Sequence, residues 1–407
     1  MSTTDSDRTV ELEELSNNNK TIDKLKEIKN ENDTGPKSEE LKLLNKKTKK
    51  APEKGKKSKE ALEKEQAEEI NAQARNIQFI KDLTNDSFYT GHELDNTFIV
   101  FKSINEIIFL IYTGDNKSII AFDLIDNRII CKVINAHDKY ITNFRHYSDA
   151  NKERDLLLSV SYEDNNIKIW NILNWNCILN LKDIYKRGKI YSAGFLDYKS
   201  KIYIIISNYN VYINYQPIKV LDLNGNEKKE IDDSKDKTAF IDSFYDKKLG
   251  KNYIVTGNRG FVKSFDFREN KLYHKYRHNQ KDEMHTSIIM NIKDNAVEMI
   301  ESCNDAYIRI WNFHTGKLIK KIKPCNSRLY GICLWYKEYV LVGCEDETIK
   351  LIDLKNEKNI MSLTGHTGRV FTVKTINLPE YGECLISQSW LAKQIKLWSV
   401  KTEKNNV

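Results

Sequence analysis

The chain has 407 residues, of which 40% are hydrophobic and 30% are charged, and its formal net charge is +7 at pH 7. Its first residues, Met1-Ser2-Thr3-Thr4-Asp5, lack the basic start and apolar run of a secretory signal. Its longest apolar runs, such as residues 107–112 and 202–206, are far shorter than the ~20 residues of a membrane helix. We therefore expect an intracellular protein, cytoplasmic or nuclear, without a membrane span.

The first segment in chain order, residues 1–59, is predicted to be a disordered, lysine-rich tail. Residues 1–40 contain 11 acidic and 6 basic residues, whereas residues 41–59 contain nine lysines and one glutamate. A sequence this polar buries too little apolar surface to offset the entropy of ordering the chain. The stretch from Lys46 to Lys59 resembles a two-part nuclear import signal and would attract nucleic acid, although a merely solvated lysine run has the same composition.

The next segment, residues 60–76, contains strong helix formers such as Glu60, Ala61, Leu62 and Glu63, and it predicts a short helix. No heptad pattern persists for three turns, so a solvated spacer helix fits the sequence better than a coiled-coil seam for a partner.

A seven-fold repeat occupies the rest of the chain. Each copy places a large apolar residue three positions after a β-branched one, and six of the seven copies carry Lys or Arg directly after the β-branched residue. The large apolar residues are Phe122, Trp170, Leu221, Phe265, Trp311, Ile352 and Trp398, and the bases are Lys168, Lys219, Lys263, Arg309, Lys350 and Lys396. We expect these bases to lie toward the polar edge of their strands.

The copies are 41 to 51 residues apart, close to the ~40–45 residues of a four-stranded propeller blade. Helical solenoids fit poorly, because the copies alternate with period two and are rich in Val, Ile, Tyr and Phe. In the second copy, for example, four strands are predicted at residues 140–147, 155–161, 167–172 and 177–181. The repeat therefore predicts an all-β, seven-bladed β-propeller.

The seventh copy lacks its fourth strand, because the polar residues 401–407 follow Val400 and are predicted to be a flexible C-terminus. The apolar stretch 77–83 precedes the first copy and has no blade of its own. Pairing of this stretch with the last blade would close the ring and remove two open sheet edges. We therefore place the propeller at residues 77–400, closed by an N-terminal strand.

These motifs resemble the tryptophan-aspartate (WD) repeat β-propeller family. The copies end in Trp-Asn or Trp-Ser three times and in an apolar residue followed by Asp three times, Gly-His or Ala-His precedes three first strands, and an Asp lies six residues before three of the large apolar residues. The resemblance implies a hydrogen-bonded row of His, strand Ser or Thr, turn Asp and Trp within a blade. The residues that match this row are His137, Ser159 or Ser161, Asp164 and Trp170 in the second copy, Asp305 and Trp311 in the fifth, Asp346 in the sixth, and His366 and Trp398 in the seventh, where Ala392 replaces the Asp.

The sequence contains no constellation typical of catalysis. It has no glycine-rich phosphate loop, nucleophile elbow or Cys-x-x-Cys pair, and its eight His residues are scattered. Seven cysteines near predicted strands are typical of buried, reduced thiols. We therefore expect no enzymatic activity, no cofactor and no metal.

Two kinds of residue are candidates for partner binding. Bases precede the first strands at Lys139, Lys189, Arg328, Arg369 and, less securely, Lys237, and would form a positive mouth for acidic or phosphorylated partners, unless they are simply solvated turn residues. Trp175 and Trp390 lie in turns, where each ring could either anchor a partner or fold back on its own blade.

The leading hypothesis from the sequence is a monomeric propeller that acts as a protein-interaction scaffold within a complex. An alternative is a nuclear, nucleic-acid-associated factor, in ribosome assembly or chromatin, that uses the basic tail. A third is the recruiting module of a kinase or ubiquitin ligase complex, with the activity supplied by a partner. The fold alone does not choose among these, because propellers serve many functions.

Overall fold

The computed structural model describes most of the repeat region and little before it. The described residues are 68, 72, 76–84, 98–115, 117–185, 188–209, 217–232, 240–257, 260–277, 285–293, 296–336, 338–390 and 394–400. The tail 1–59 and residues 401–407 lie outside them. Of the predicted helix at 60–76, only Glu68, Ala72 and Asn76 are described, and Glu68 and Ala72 are helical and exposed. The chain divides into two units at residue 72, and all that follows concerns the second unit.

The repeat folds into seven four-stranded antiparallel sheets, as the sequence predicts. In the second blade, each observed strand begins and ends within three residues of its predicted bounds. The strands of the first three blades are β2 Phe98–Lys102, β3 Ile108–Thr113, β4 Ile119–Asp123 and β5 Arg128–Val133; β6 Asn143–Asp149, β7 Arg154–Ser161, β8 Asn166–Asn171 and β9 Asn176–Lys182; and β10 Lys189–Tyr198, β11 Lys201–Tyr209, β12 Ile218–Asp222 and β13 Glu227–Ile231.

The next three blades repeat this order. Their strands are β14 Phe240–Asp246, β15 Lys251–Gly257, β16 Phe261–Asp266 and β17 Lys271–Arg277; β18 His285–Ile292, β19 Val297–Cys303, β20 Ile308–Asn312 and β21 Leu318–Ile322; and β22 Leu329–Trp335, β23 Tyr339–Cys344, β24 Ile349–Asp353 and β25 Lys358–Leu363. A short 3-10 helix, Ala150–Lys152, links β6 to β7.

The seventh blade joins the two ends of the repeat region. It contains β26 Val370–Leu378, β27 Gly382–Ser389 and β28 Ile395–Val400, and β1 Ile77–Thr84 pairs antiparallel with β28 as its outer strand. Phe79 packs edge-on against Trp398 with 5.5 Å between ring centroids, and Lys396 Nζ lies 2.8 Å from Asp82 Oδ1. The N-terminal strand thus closes the ring as predicted.

The hydrophobic core is divided among the interfaces between neighbouring blades. Around a central channel, the first strands of neighbouring blades contact one another, including β2 of the first blade with β26 of the last; between blades 4 and 5, β18 mainly contacts the second strand β15. A separate group of buried apolar residues fills each interface. The group between blades 6 and 7 is the smallest, with Tyr330, Phe371 and the partly exposed Trp390.

Glycines let the backbones of blades 6 and 7 approach closely at this small interface. A Cβ atom on Gly331 would lie 2.4 Å from the Phe371 carbonyl oxygen, and one on Gly343 would lie 2.3 Å from that of Val370. No side chain larger than hydrogen fits these positions without a backbone shift. Backbone packing therefore takes the place of a larger apolar cluster here.

The repeated bases differ from the expectation that they lie toward the polar edge. Lys168, Lys263, Arg309 and Lys350 are all buried. The charged ends of Lys168, Arg309 and Lys350 reach a carbonyl or a carboxylate near the turns. Lys168 Nζ, for example, donates a hydrogen bond of 2.5 Å to the Ala136 carbonyl, and Lys350 Nζ lies 3.1 Å from Asp346 Oδ2.

Within the described residues, no helix is long and apolar enough to cross a membrane.

Candidate functional site

Most of the residues that the sequence predicts to bind partners lie at one end of the propeller. Because each blade runs antiparallel from its first to its fourth strand, the connections between blades and the turns between second and third strands lie at the same end. We call this end the upper face. It carries Lys139, Lys189, Arg328, Arg369 and Trp390, whereas Lys237 falls outside the described residues.

Three of these five residues meet on blades 6 and 7. The Arg369 guanidinium lies 3.1 Å from Glu345 Oε1 and 5.1 Å from the ring centroid of Trp390. The backbone joins them as well, because Glu345 N–H donates to the Arg328 carbonyl at 2.9 Å and Trp390 N–H donates to the Arg369 carbonyl at 2.7 Å. We call Arg328, Glu345, Arg369 and Trp390 the blade 6–7 patch.

The patch rests on a rigid aromatic base. Tyr330 and Phe371 are buried with their ring centroids 4.2 Å apart, and the partly exposed Trp390 ring stands edge-on to Phe371 at 6.3 Å. A Cβ on Gly368 would lie 2.3 Å from the Trp390 carbonyl oxygen, so the turn that carries Trp390 is held close to the start of β26. Arg328 is exposed beside this base.

The other two predicted bases lie apart, on blades 2 and 3. Lys139 is exposed next to Tyr140, and Lys189 Nζ lies 5.1 Å from the Tyr162 ring centroid and 3.4 Å from the Glu163 carbonyl oxygen. The upper face also carries acids, such as Glu345 beside Arg369 and Asp138, which pairs with Lys182 at 3.3 Å. The predicted bases therefore form two separate groups with acidic neighbours.

Trp175, the second tryptophan that the sequence placed in a turn, is buried at the interface between blades 1 and 2. Its side chain is buried, and its ring packs edge-on against Phe109 of the neighbouring blade at 6.3 Å. Its φ of 58° places the backbone in the left-handed region, which the tight turn before β9 requires. Of the two turn tryptophans, Trp390 is the one that is partly exposed.

The polar row of the second blade is buried and joined by hydrogen bonds. The Ser159 hydroxyl lies 2.7 Å from His137 Nε2 and accepts a hydrogen bond from Trp170 Nε1 at 2.9 Å, while His137 Nδ1 lies 3.6 Å from Asp164 Oδ2. Ser159, and not Ser161, thus connects His to Trp. Burial lowers the pKa of His137 despite the attraction of Asp164, so the imidazole is neutral at pH 7.

The seventh blade completes the same row with two serines that the sequence analysis did not name. His366 Nε2 lies 2.7 Å from the Ser387 hydroxyl, which accepts a hydrogen bond from Trp398 Nε1 at 2.7 Å. Ser389 Oγ lies 3.1 Å from His366 Nδ1 and takes the place of the Asp. Ser387 could have been found from its spacing, because it lies eleven residues before Trp398 as Ser159 lies eleven before Trp170, and Ser389 follows it as Ser161 follows Ser159.

In the fifth blade, a cluster of charged side chains lies where the second blade has its polar row. Arg309 pairs with Asp305, and its guanidinium lies 3.8 Å from Glu301 Oε1, with all three side chains buried. Glu301 faces Arg309 across the strands as Ser159 faces Lys168. Sequence reasoning missed Glu301 because the turn between the second and third strands is one residue shorter here, which shifts the spacing.

Asp346 of the sixth blade caps a turn instead of joining such a row. It accepts hydrogen bonds from the Thr348 backbone N–H and hydroxyl at 3.3 and 2.5 Å and pairs with Lys350. Burial alone would raise the pKa of Asp346, but these hydrogen bonds and Lys350 lower it overall. The group stays ionised at neutral pH.

The described residues contain no group of three or more His, Cys, Asp or Glu side chains that could hold a metal ion. All seven cysteines are free; five are buried, and Cys177 and Cys325 are partly exposed. Cys325 stands out, because hydrogen bonds to Cys344 and Ser327 lower the pKa of its thiol to about 6. Nothing in the sequence indicates this contact, since residues 325 and 344 are distant in the chain.

Comparison with known proteins gives two partial matches. The chain is 25% identical over 104 residues, 26% of its length, to U3 small nucleolar RNA-associated protein 21 homolog of Schizosaccharomyces pombe. It is 24% identical over 157 residues, 38% of its length, to Cell division control protein 4 of Saccharomyces cerevisiae. The matches cover 11% and 18% of the two relatives' own lengths. No family model matches the chain.

Proposed function

Because this chain is a seven-bladed β-propeller of the WD-repeat kind, we propose that it is a non-enzymatic scaffold that binds partner proteins on its upper face. The observation that carries the proposal is the blade 6–7 patch. A partly exposed tryptophan, a guanidinium over its ring and an exposed arginine combine there on a rigid base. Trp and Arg are the residues that most often dominate binding energy at protein interfaces.

The patch favours a partner segment that presents an acidic or phosphorylated group beside an apolar side chain. The acidic group would compete with Glu345 for Arg369, and the apolar side chain would cover the exposed part of Trp390. The Arg369–Glu345 pair is about one-third exposed on each side, so exchanging its partner involves little loss of stability. Lys139 and Lys189 would attract the same partner from blades 2 and 3.

Quantitative affinity purification of the full-length chain tests this proposal. We compare the wild type with Trp390→Ala combined with Arg369→Glu, and use Lys248→Glu as the control, since Lys248 is exposed in the β14–β15 turn on the opposite face. Truncating a tryptophan hot spot costs about 2 kcal/mol or more, or roughly 30-fold in affinity. We expect the patch variant to lose a set of partners that the control retains. Identical partner sets for all three folded proteins would refute the proposal.

A second candidate is a nucleic-acid-associated nuclear factor that uses the stretch from Lys46 to Lys59. Two observations favour it: the nine lysines of residues 41–59, and the similarity of part of the chain to a protein named as small nucleolar RNA-associated. Each lysine that contacts a phosphate should steepen the loss of affinity with salt.

Titration of a fluorescent single-stranded RNA at several salt concentrations tests this second candidate. We expect salt-dependent binding that disappears when residues 1–59 are deleted, and that persists when residues 401–407 are deleted instead. Equal RNA binding with and without residues 1–59 would contradict a role for the tail. The hypothesis of a recruiting module stays a prediction.

A further inference from the structure

The central channel carries three charged side chains at one level. This level consists of one equivalent position on the first strand of each of the seven blades. In each blade, the residue before the large apolar residue of the repeat lies on the third strand and pairs with a second-strand residue. That second-strand residue pairs in turn with the first-strand position. The seven first-strand positions are Ile99, Arg145, Gly194, Asp242, Ile289, Cys333 and Lys374. Two cations and one anion therefore occupy equivalent places on blades 2, 7 and 4.

Neither cation forms an ion pair with a described residue. Arg145 donates to Asn143 Oδ1 at 3.0 Å and to the Phe144 carbonyl at 3.1 Å, which are both uncharged acceptors. Its Nε is buried and has no acceptor in the described part of the chain. Lys374 forms neither a hydrogen bond nor an ion pair with any described residue. Asp242 is thus the single carboxylate at this level, against two cations.

The excess of positive charge at this level affects the pKa of Lys374. Burial lowers the pKa of Lys374, and repulsion by Arg145 lowers it further, while Cys333 and Asp242 oppose the shift. A positive charge without a bound counterion is unfavourable in so confined a place, since Coulomb interactions strengthen where water is scarce.

A cavity opens beside Lys374. It has a volume of about 390 Å³ and is lined by first-strand residues of blades 4 to 7, among them Asp242, Ser243, Cys333, Lys374 and Thr375. This volume lies within the ~300–1,000 Å³ of small-molecule sites. The hydroxyls of Ser243 and Thr375 donate to the Phe195 and Leu334 carbonyls at 2.7 and 3.3 Å, so the cation that lines the cavity is Lys374, and Arg145 occupies the equivalent position on blade 2.

We propose that the central channel binds a small phosphate-class oxyanion between Lys374 and Arg145. The Lys374 ammonium supplies a point charge and the Arg145 guanidinium a fork of donors, the combination that suits the oxygens of a phosphate. Asp242 limits the charge of the ligand, because it repels an anion that extends across the channel. Inorganic phosphate and a phosphate group of a nucleotide share this chemistry.

Isothermal titration calorimetry with the full-length chain tests the proposal, with inorganic phosphate, pyrophosphate and ATP as probes at constant ionic strength in chloride. We expect saturable binding that becomes about tenfold weaker or more in Lys374→Met, because one charge-assisted hydrogen bond is lost. We expect Lys374→Arg to retain binding and Lys248→Met, on an exposed turn, to match the wild type. Asp242→Asn should bind more tightly, which a purely structural role would not produce.

The probes also separate the sources of the phosphate. Binding of inorganic phosphate and pyrophosphate as tight as that of ATP indicates a free-phosphate site, and tighter binding of ATP indicates a nucleotide site. Absence of saturation with all three probes overturns the proposal, as does unchanged affinity in Lys374→Met. If Lys374→Met does not fold, Asp242→Asn decides: an affinity equal to that of the wild type counts against the site.

Discussion

His366 shows how a single residue couples the stability of a blade to pH. It is buried between the hydroxyls of Ser387 and Ser389, and its ring lies 5.9 Å from that of Trp398. Burial, together with the nearby charge of Lys396, lowers the pKa of His366 from 6.5 to about 4. The folded chain therefore holds this imidazole neutral over a range in which the unfolded chain protonates it.

We predict a loss of stability on acidification that depends on His366. Because the unfolded state binds more protons between pH 6.5 and about 4, the contribution of His366 is complete at neutral pH and falls as the pH falls through this window. The shift corresponds to about 3 kcal/mol in total. We expect the difference in unfolding free energy between the wild type and His366→Gln to shrink from pH 7 to pH 4.5, as measured by denaturant titration. A difference that stays constant with pH would contradict this account.

The residues of the polar rows could be predicted only where they follow the spacing of the repeat. His137, Trp170, His366 and Trp398 do so, and the structure brings them to their hydrogen-bond partners. Glu301 could not be found in this way, because one residue fewer in a turn shifts the register.

The partner-binding candidates were harder to predict from the sequence, because exposure depends on how neighbouring blades pack. Trp175 and Trp390 are both turn residues in the sequence, yet Trp175 is buried between blades and Trp390 is partly exposed. Likewise, Glu345 contacts Arg369 only because β23 and β26 lie side by side.

At the scale of the element, β1 determines whether the last blade has a free edge. Without it, the backbone groups of β28 that face β1 would have no strand to pair with. The contact is reinforced by Phe79 on Trp398 and by Asp82 on Lys396, which also lies 4.8 Å from the Phe79 ring centroid. An exposed strand edge of this kind promotes association between chains.

We predict that two N-terminal truncations differ sharply in melting temperature and in their tendency to aggregate. A chain that begins at Gln73 keeps β1, and its melting temperature and monomeric state should match those of the full-length chain. A chain that begins after Thr84 loses the whole strand and should melt at a lower temperature and aggregate. Thermal unfolding and size-exclusion chromatography measure both effects. Equal behaviour of the two truncated chains would show that β1 is dispensable for closure.

At the scale of the molecule, the architecture could be predicted because the same strand pattern occurs in seven copies. Each copy combines period-two alternation with a fixed position for the large apolar residue. An error in the predicted strands of one blade therefore does not affect the prediction for the next blade. The burial of the repeated bases could not be predicted, because it depends on carbonyl and carboxylate groups from turns and neighbouring strands. Neither could the charged level of the channel, since Arg145, Asp242 and Lys374 match only when the strands of different blades are in register.

Closure by β1 also has a consequence during synthesis. Among the described strands β1 is synthesised first, and its partner β28 begins at Ile395, more than 300 residues later. At translation rates of ~5–20 residues per second, roughly 15–60 seconds pass between the synthesis of β1 and that of β28. Over that time the charges of Lys81 and Asp82 discourage pairing with a wrong edge. Because β1 pairs with β28, the ring closes only after translation has passed β28.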